Sequence, residues 1–258
     1  MLKSDLSLAI VTYNNAKIIE KSVRSIIENI PTTITYILYI VDNNSLDNTL
    51  EVVKKIEGNI KIIKLTNNNG FGSGHNKVLD LLNSKYHLVV NPDIVIESAE
   101  QIKKMFDYME NNLEVGMLSP LIVNPDLSTQ YLCKYNPTVI DMLIRRISPK
   151  IFKKRQAWYV MKHTGYDKIM NLEYASGCFM FFRTSLFIEL RGFDENFFMY
   201  LEDADITRRV NQISKTIFFP EARVIHAWER GSYKNMKLAY ITIQSMLIYF
   251  KKWGFRFK

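Results

Sequence analysis

Along the first 95 residues the apolar positions change rhythm repeatedly. Residues 6–13, LSLAIVTY, form a short continuous apolar run that predicts a buried strand. Ile19, Val23, Ile26, Ile27 and Ile30 then recur at helical spacing and predict one apolar helix face. Residues 34–41, ITYILYIV, return to strand, β-branched and unbroken as in a parallel sheet covered on both faces. That run ends in Asp42-Asn43-Asn44-Ser45, where Ser45 is placed to cap the next helix with Asp47 in its first turn. Residues 60–65 predict a third strand, followed by a polar, glycine-rich stretch at 67–76 with a helix resuming near His75. Residues 86–90, YHLVV, make a fourth strand that stops at Asn91-Pro92-Asp93.

The second half is less regular. Residues 138–163 read as helical and basic, and 172–183 as a return to the sheet. A helix is expected from about Asp203, a short strand at 215–219 before His226, and a helix over 236–253. Strand–helix alternation predicts an α/β fold with a doubly wound, mostly parallel sheet, helices on both faces, and a helical, basic C-terminal extension. The expected organisation is a main domain over 1–230, divided near 95, then the 231–258 segment. In such sheets ligands bind beyond the carboxyl ends of the strands. The strands ending near 13, 41, 65 and 90 all stop in polar or glycine-rich turns, so their ends are the expected site.

The chain has 258 residues, 47% of them hydrophobic, enough for one large core. No apolar run reaches the roughly 18 residues that span a bilayer, and the N-terminus lacks the features of a signal peptide. Two cysteines far apart, Cys133 and Cys178, argue against a disulfide framework or zinc site and for a reducing cytosol. The formal charge of +8 is unevenly spread. Segments 142–166 and 230–258 hold 14 of the 34 basic residues and none of the 26 acids. Such a surface concerns partners: anionic lipid, a diphosphate-linked acceptor or nucleic acid. Solvated basic helices are the plainer alternative. Helix-turn-helix, zinc-finger and RRM signatures are missing, so nucleic acid is not the expected partner.

Four stretches carry candidate chemistry. Asp93, at the end of an apolar strand, suits a hard divalent cation that neutralises a diphosphate; a plain turn is the alternative. Between Asp194 and Asp205 five acids lie within twelve residues, among aromatics. Apolar neighbours raise a carboxylate towards general-base range, while acids also suit a helix N-terminus. The 67–76 loop lets backbone approach a ligand closely, yet it is neither a Walker loop nor a dinucleotide fingerprint. His226 is either a metal ligand or structural.

In their order, these pieces resemble the family 2 glycosyltransferases of GT-A fold. The matching residues are Val11-Thr12-Tyr13-Asn14, Val41-Asp42-Asn43-Asn44-Ser45 with Asp47, the 67–76 loop, Asn91-Pro92-Asp93, Gly177-Cys178-Phe179-Met180, Gly192-Phe193-Asp194-Glu195, Phe197-Phe198-Met199-Tyr200, Glu202-Asp203-Ala204-Asp205 and His226. They cover residues 6 to about 230. Within the family the chain is most similar to bacterial rhamnosyltransferases of O-antigen and capsule assembly.

The resemblance implies an inverting, metal-dependent enzyme that moves one sugar, L-rhamnose from dTDP-β-L-rhamnose first and a UDP-hexose second. The implied acceptor is a polyprenyl-diphosphate-linked glycan at the inner face of the plasma membrane. A non-catalytic nucleotide-sugar-binding module is the rival. Tyr13 would lie against the pyrimidine and Asp42 or Asn43 would bond its edge. Thr12, Asn14, Asn68, Gly70, Phe71, Gly74, Asn76 and Asn91 complete the expected donor site. Asp93, helped by His226, would hold Mg²⁺ or Mn²⁺. Asp203 matches the catalytic base, with Glu202 and Asp205 supporting it or positioning the acceptor. One departure is Asn91, which stands where the family's DxD motif has its first aspartate.

Overall fold

The computed structural model describes residues 3–147, 152–227 and 236–257. Among them nine strands form one sheet. β1 (Ser4–Thr12), β2 (Tyr36–Asp42), β3 (Ile60–Lys64) and β4 (Ser84–Val90) are parallel, with β1 between β2 and β4. The sheet continues through β8 (Phe179–Arg183), antiparallel to both β4 and β6 (Val115–Val123). β9 (Lys215–His226) runs parallel to β6 and pairs antiparallel with the two short strands β5 (Ile94–Val95) and β7 (Met170–Asn171).

Strand alternation sorts side chains to two faces, and both are apolar. Leu6, Leu8 and Ile10 of β1, with Phe179 and Phe181 of β8, pack under α1 (Ile19–Glu28) and α4 (Ala99–Asn111). Ala9 and Val11, with Met180 and Phe182, face the other side under α7 (Thr184–Glu189) and α8 (Glu202–Ile213). Helices on both faces of a mostly parallel sheet are the expected α/β architecture.

The antiparallel β8 matters most for function. Thr12, Asp42 and Lys64 are in register at the carboxyl end of the sheet. Phe179, the first residue of β8, pairs with Val90, the last of β4. The segment entering β8 therefore reaches the edge where the parallel strands leave.

Several elements differ from the sequence reading. α4, β6 and α7 were not anticipated. α4 buries only Ile102, Met105 and Met109 among many polar residues. β6 is interrupted by Pro120, where its pairing with β9 slips register. β9 extends through His226 rather than stopping near 219. The helix after β2, α2 (Thr49–Val53), starts later than expected. Ser45 does not cap it: its hydroxyl accepts from the Asn14 amide, while Asp47 accepts from Thr49 at the helix start. The glycine-rich helix α3 (Phe71–Asn76) begins before His75. Residues 138–163 hold α5 (Val139–Ile147) and α6 (Lys153–Tyr159).

The last helix, α9 (Met236–Trp253), packs Tyr249, Phe250 and Met246 onto Leu201, Phe197 and Tyr174. Lys150, Arg230, Lys234 and Lys258 lie outside the described residues, as does the Arg146 side chain.

Candidate active site

At the carboxyl edge, the turns after β1 and β2 clasp each other. Asn14, at φ 56°, accepts from the Leu46 amide at 2.8 Å, and the Asn15 amide donates to Thr49 at 2.9 Å. Thr12 is fully buried and donates to Asn15. Tyr13 stays 44% exposed at the rim, where its ring is open to a planar ligand. Asp42 is fully buried and both its oxygens accept from the Ser45 amide. Asn43 is also buried, and its amide nitrogen donates to the Gly70 carbonyl at 3.0 Å. Asn43 thus fastens the second turn to the glycine loop through its nitrogen, while its Oδ1 has no hydrogen-bond partner among the described residues.

The glycine loop serves the fold first. Gly70 sits at φ 95°, and a Cβ there would fall 2.0 Å from the Phe198 carbonyl oxygen. A Cβ on Gly74 would meet Val11 at 2.7 Å. These close approaches are to protein, not to open space for a ligand. Asn68 accepts from the Gly70 amide, and Phe71 stacks edge-on against His75 and Phe193. Asn76, expected in the donor site, donates to the Phe193 carbonyl and Glu195 and accepts from the Phe193 amide. Its amide is committed to joining the loop to the acidic segment.

Asp93 and His226 are brought together. Ile94 of β5 pairs with His226, and His226 Nε2 lies 3.3 Å from Asp93 Oδ2. Gln130, which nothing in the sequence singled out, sets the histidine. Its Nε2 donates to the His226 carbonyl and Asn124 Oδ1, so its Oε1 is the atom facing His226 Nδ1, at 2.9 Å. Nδ1–H therefore points at Gln130, and Nε2 faces the carboxylate. The other Asp93 oxygen is buried without a hydrogen-bond partner. An oriented imidazole beside an unsatisfied carboxylate oxygen fits a divalent cation. Among the described residues no third His, Cys, Asp or Glu joins them. A cation held there would leave the rest of its shell to ligand oxygens and water.

The acidic motif is presented on a strained turn. Tyr200 and Leu201 both take left-handed backbone, at φ 75° and 67°, just before α8. Asp203, in the first turn, accepts from the Tyr174 hydroxyl on Oδ1 at 2.9 Å and from the Gly177 amide on Oδ2 at 3.1 Å. A side chain on Gly177 would meet Asp203 Cβ at 3.2 Å. One residue on, the Cys178 carbonyl accepts from the Asn91 amide at 2.9 Å. The Gly177-Cys178 segment thus links the Asp93 and Asp203 motifs through backbone bonds. Both cysteines are free and buried; burial, then the charges of Asp93 and Asp203, push the Cys178 thiol up to about 12.

The remaining two acids differ sharply. Glu202 is buried with Oε2 unpartnered, and burial, then the Asp203 charge, hold its carboxyl well above the usual range. Asp205 does not reach the site. It is fully buried, bonded to Arg209 and Lys252 at 2.8 Å and to the Trp253 indole at 2.8 Å. Its role is to dock α9 on α8.

Sequence reasoning also missed Tyr174 and Lys134. The Lys134 ammonium rests 4.1 Å from the Tyr174 ring centroid. Tyr174 stands four residues before Cys178, and only the fold turns its hydroxyl to Asp203.

Comparison with known proteins follows the same lines. The profile of the family described as Glycosyl transferase family 2 matches residues 7–191. The N-acetylglucosaminyl-diphospho-decaprenol L-rhamnosyltransferase of Mycobacterium tuberculosis is 25% identical over 239 residues, covering 86% of this chain and 75% of that protein. In structure, the Pyrobaculum calidifontis mannosyltransferase PcManGT, in complex with GDP-Man and Mn²⁺, superposes with a TM-score of 0.66 at 16% identity. It covers 96% of this chain and 64% of its own. S. aureus TarS with UDP-GlcNAc gives a TM-score of 0.62 at 21% identity, over 89% of this chain and 60% of that one. The chain thus spans about three fifths of these solved relatives, which share its GT-A fold.

Proposed function

This chain belongs to glycosyl transferase family 2, and on that premise we propose that it transfers a single sugar, with inversion, from a nucleoside-diphosphate donor to a polyprenyl-diphosphate-linked glycan. The observation that carries this reading is the backbone link at Gly177-Cys178, which ties the Asp203 carboxylate to the Asn91-Pro92-Asp93 turn.

Asp203 is the general base. Its Oδ2 accepts only the Gly177 amide among the described residues, which leaves a lone pair for an acceptor hydroxyl. As that oxygen attacks the anomeric carbon, its proton passes to Asp203. The bond from the anomeric carbon to the donor phosphate breaks, and the nucleoside diphosphate leaves from the opposite face. Base catalysis of this kind contributes about 10²–10⁴-fold. Tyr174 and Gly177 fix the direction of the carboxylate, which is where alignment adds to rate. Asp93 and His226 would hold Mg²⁺ or Mn²⁺, which neutralises charge on the departing diphosphate. Tyr13 offers an exposed ring to the donor base.

The first donor is dTDP-β-L-rhamnose, supported by the rhamnosyltransferase relative, with a UDP-sugar as the alternative. A transfer assay with Mg²⁺ or Mn²⁺ should compare dTDP-β-L-rhamnose with a panel of UDP-sugars on a GlcNAc-diphospho-lipid analogue. Transfer from the dTDP donor, lost in Asp203→Asn, is expected. Transfer from a UDP-sugar alone discards rhamnose, and nucleotide binding with no transfer favours the non-catalytic module.

Among the described residues no helix is long and apolar enough to cross a membrane. The work site is the cytoplasmic membrane face, reached by peripheral contact. Met236, Tyr240, Ile243 and Leu247 recur at helical spacing on α9 and are exposed, beside Lys237 and Lys251. Residues 236–257 contain no acid. An apolar stripe flanked by lysines suits an anionic lipid surface. Sedimentation with anionic liposomes at low salt should carry the protein down; a protein left in the supernatant removes this contact.

A further inference from the structure

We infer that Lys134 and Arg145 form the binding site for the phosphate groups of the acceptor. This inference rests on the glycosyl-transfer reading and extends it to residues that reading does not use.

Lys134 lies close to Asp203, and Arg145 lies close to Lys134. Lys134 lies in the segment between β6 and α5, its amide bonded to the Tyr174 carbonyl and its ammonium over the Tyr174 ring. The hydroxyl of that ring bonds Asp203. One tyrosine thus separates the ammonium from the base. Arg145 lies on α5, its guanidinium 5.6 Å from the ring centroid of the buried Tyr159. The two charges sense each other: burial holds the Lys134 ammonium below its ordinary value, Asp203 works against that, and Arg145 adds to it.

Three other basic residues of this half are neutralised. Arg155 pairs with Asp141, Arg209 with Asp205, and Lys252 with both Asp194 and Asp205. Among the described residues, neither Lys134 nor Arg145 makes an ion pair. Two part-buried cations that lack a carboxylate cost desolvation energy, which an anionic ligand recovers. The pair also matches the chemistry of phosphate, a point charge on Lys134 and a planar fork on Arg145. The proposed place of the donor diphosphate is at Asp93, just before β5, and His226, the last residue of β9. The uncompensated pair instead lies where the segment before α5 meets Tyr174, next to the helix that packs on α9. A sugar at Asp203 that is linked through a diphosphate to a lipid would put its phosphates there.

Calorimetric titration tests this, with farnesyl diphosphate as the acceptor-side probe and dTDP plus Mn²⁺ as the donor-side probe. Lys134→Met and Arg145→Met should each weaken farnesyl diphosphate binding about tenfold or more, as loss of a charge-assisted hydrogen bond does. Their affinity for dTDP with Mn²⁺ should be unchanged, and Lys134→Arg should retain most of the farnesyl diphosphate binding. Thermal melting of each variant checks that it folds, and the two Met variants are independent of each other. Equal losses for both probes would mean that the cations serve the leaving nucleotide, which overturns the inference. Wild-type protein that binds dTDP but not farnesyl diphosphate also overturns it, with the transfer reading intact. Wild-type protein that fails to bind any nucleoside diphosphate sinks the transfer reading itself.

Discussion

The Tyr174 hydroxyl donates to Asp203 Oδ1 across 2.9 Å, and the same ring carries the Lys134 ammonium on its face. Burial and then the Asp203 charge hold the Tyr174 phenol well above its ordinary value, so it remains a donor across the working pH range. Tyr174→Phe keeps the ring and removes the bond. It should lower kcat by roughly 10-fold, in line with about 1.5 kcal/mol for a hydrogen bond to a charged group. Donor KM should stay unchanged, since the base acts on the acceptor. Asp203→Asn should lower kcat by about 10²–10⁴-fold under the same assay. A Tyr174→Phe enzyme whose donor KM moves while kcat holds would assign the tyrosine to binding instead.

Glu202 gives a stability prediction with a definite sign. Its folded pKa is raised, so the folded state holds the proton more tightly than the unfolded chain does. The stability tied to that proton is complete below the unfolded value of about 4.3 and falls as pH rises through the folded value. Glutamine mimics the neutral acid. Glu202→Gln should therefore melt higher than wild type at pH 8, with the gap closing below pH about 4. A gap that widens towards acid would mean that Glu202 is ionised in the fold.

His75 and His87 act in the opposite direction. Both are fully buried, and burial is the main cause that lowers each, His87 to about 3. Neither ring nitrogen of His75 has a hydrogen-bond partner among the described residues. The unfolded chain takes up protons on both near pH 6.5, so stability is full above that value and drains away as pH falls towards about 3. Melting temperature should fall on that acid limb, and His75→Leu should flatten it. An unchanged limb in the variant would place the acid sensitivity elsewhere.

Asp205 separates structural from chemical acids. Asp205→Ala leaves Arg209 and Lys252 without their buried partner and frees the Trp253 indole. Breaking a buried pair from one side costs about 3–5 kcal/mol. A Tm lower by roughly 6–20 °C follows for a domain of this size. Limited proteolysis should then cut at α9 first. A variant with normal Tm but no transfer activity would return Asp205 to the catalytic group.

What the sequence revealed follows the range of each contact. The strand-end motifs were legible because each is local: a strand stops, a polar turn follows, and Asp93 is already in place. The alternation of β1 and the burial of both its faces could be read from consecutive residues. The partners were not legible. Asn76 meets Glu195 across 119 positions, and Gln130 meets His226 across 96. No local pattern marks either pair. The same limit explains the glycine loop, whose glycines admit Phe198 and Val11 rather than a ligand. It explains Asp205 too, since its place in the acidic run conceals the lysine and tryptophan of α9 that claim it.

The metal prediction turns on Gln130, because it fixes which imidazole nitrogen faces Asp93. Its own orientation is set by the His226 carbonyl and Asn124, so the glutamine cannot flip without losing both bonds. Gln130→Leu removes the acceptor for Nδ1–H, and the ring is then free to rotate Nε2 away from Asp93. Outer partners of metal-bound histidine commonly contribute 10–100-fold to metal affinity. The Mn²⁺ concentration for half-maximal transfer should therefore rise by about 10–100-fold in Gln130→Leu. Its rate at saturating Mn²⁺ should approach wild type. Chelation should abolish transfer in both proteins, with added Mn²⁺ restoring wild type first. If Gln130→Leu and wild type share one Mn²⁺ titration curve, His226 is no ligand, and Asp93 alone anchors the cation against the diphosphate.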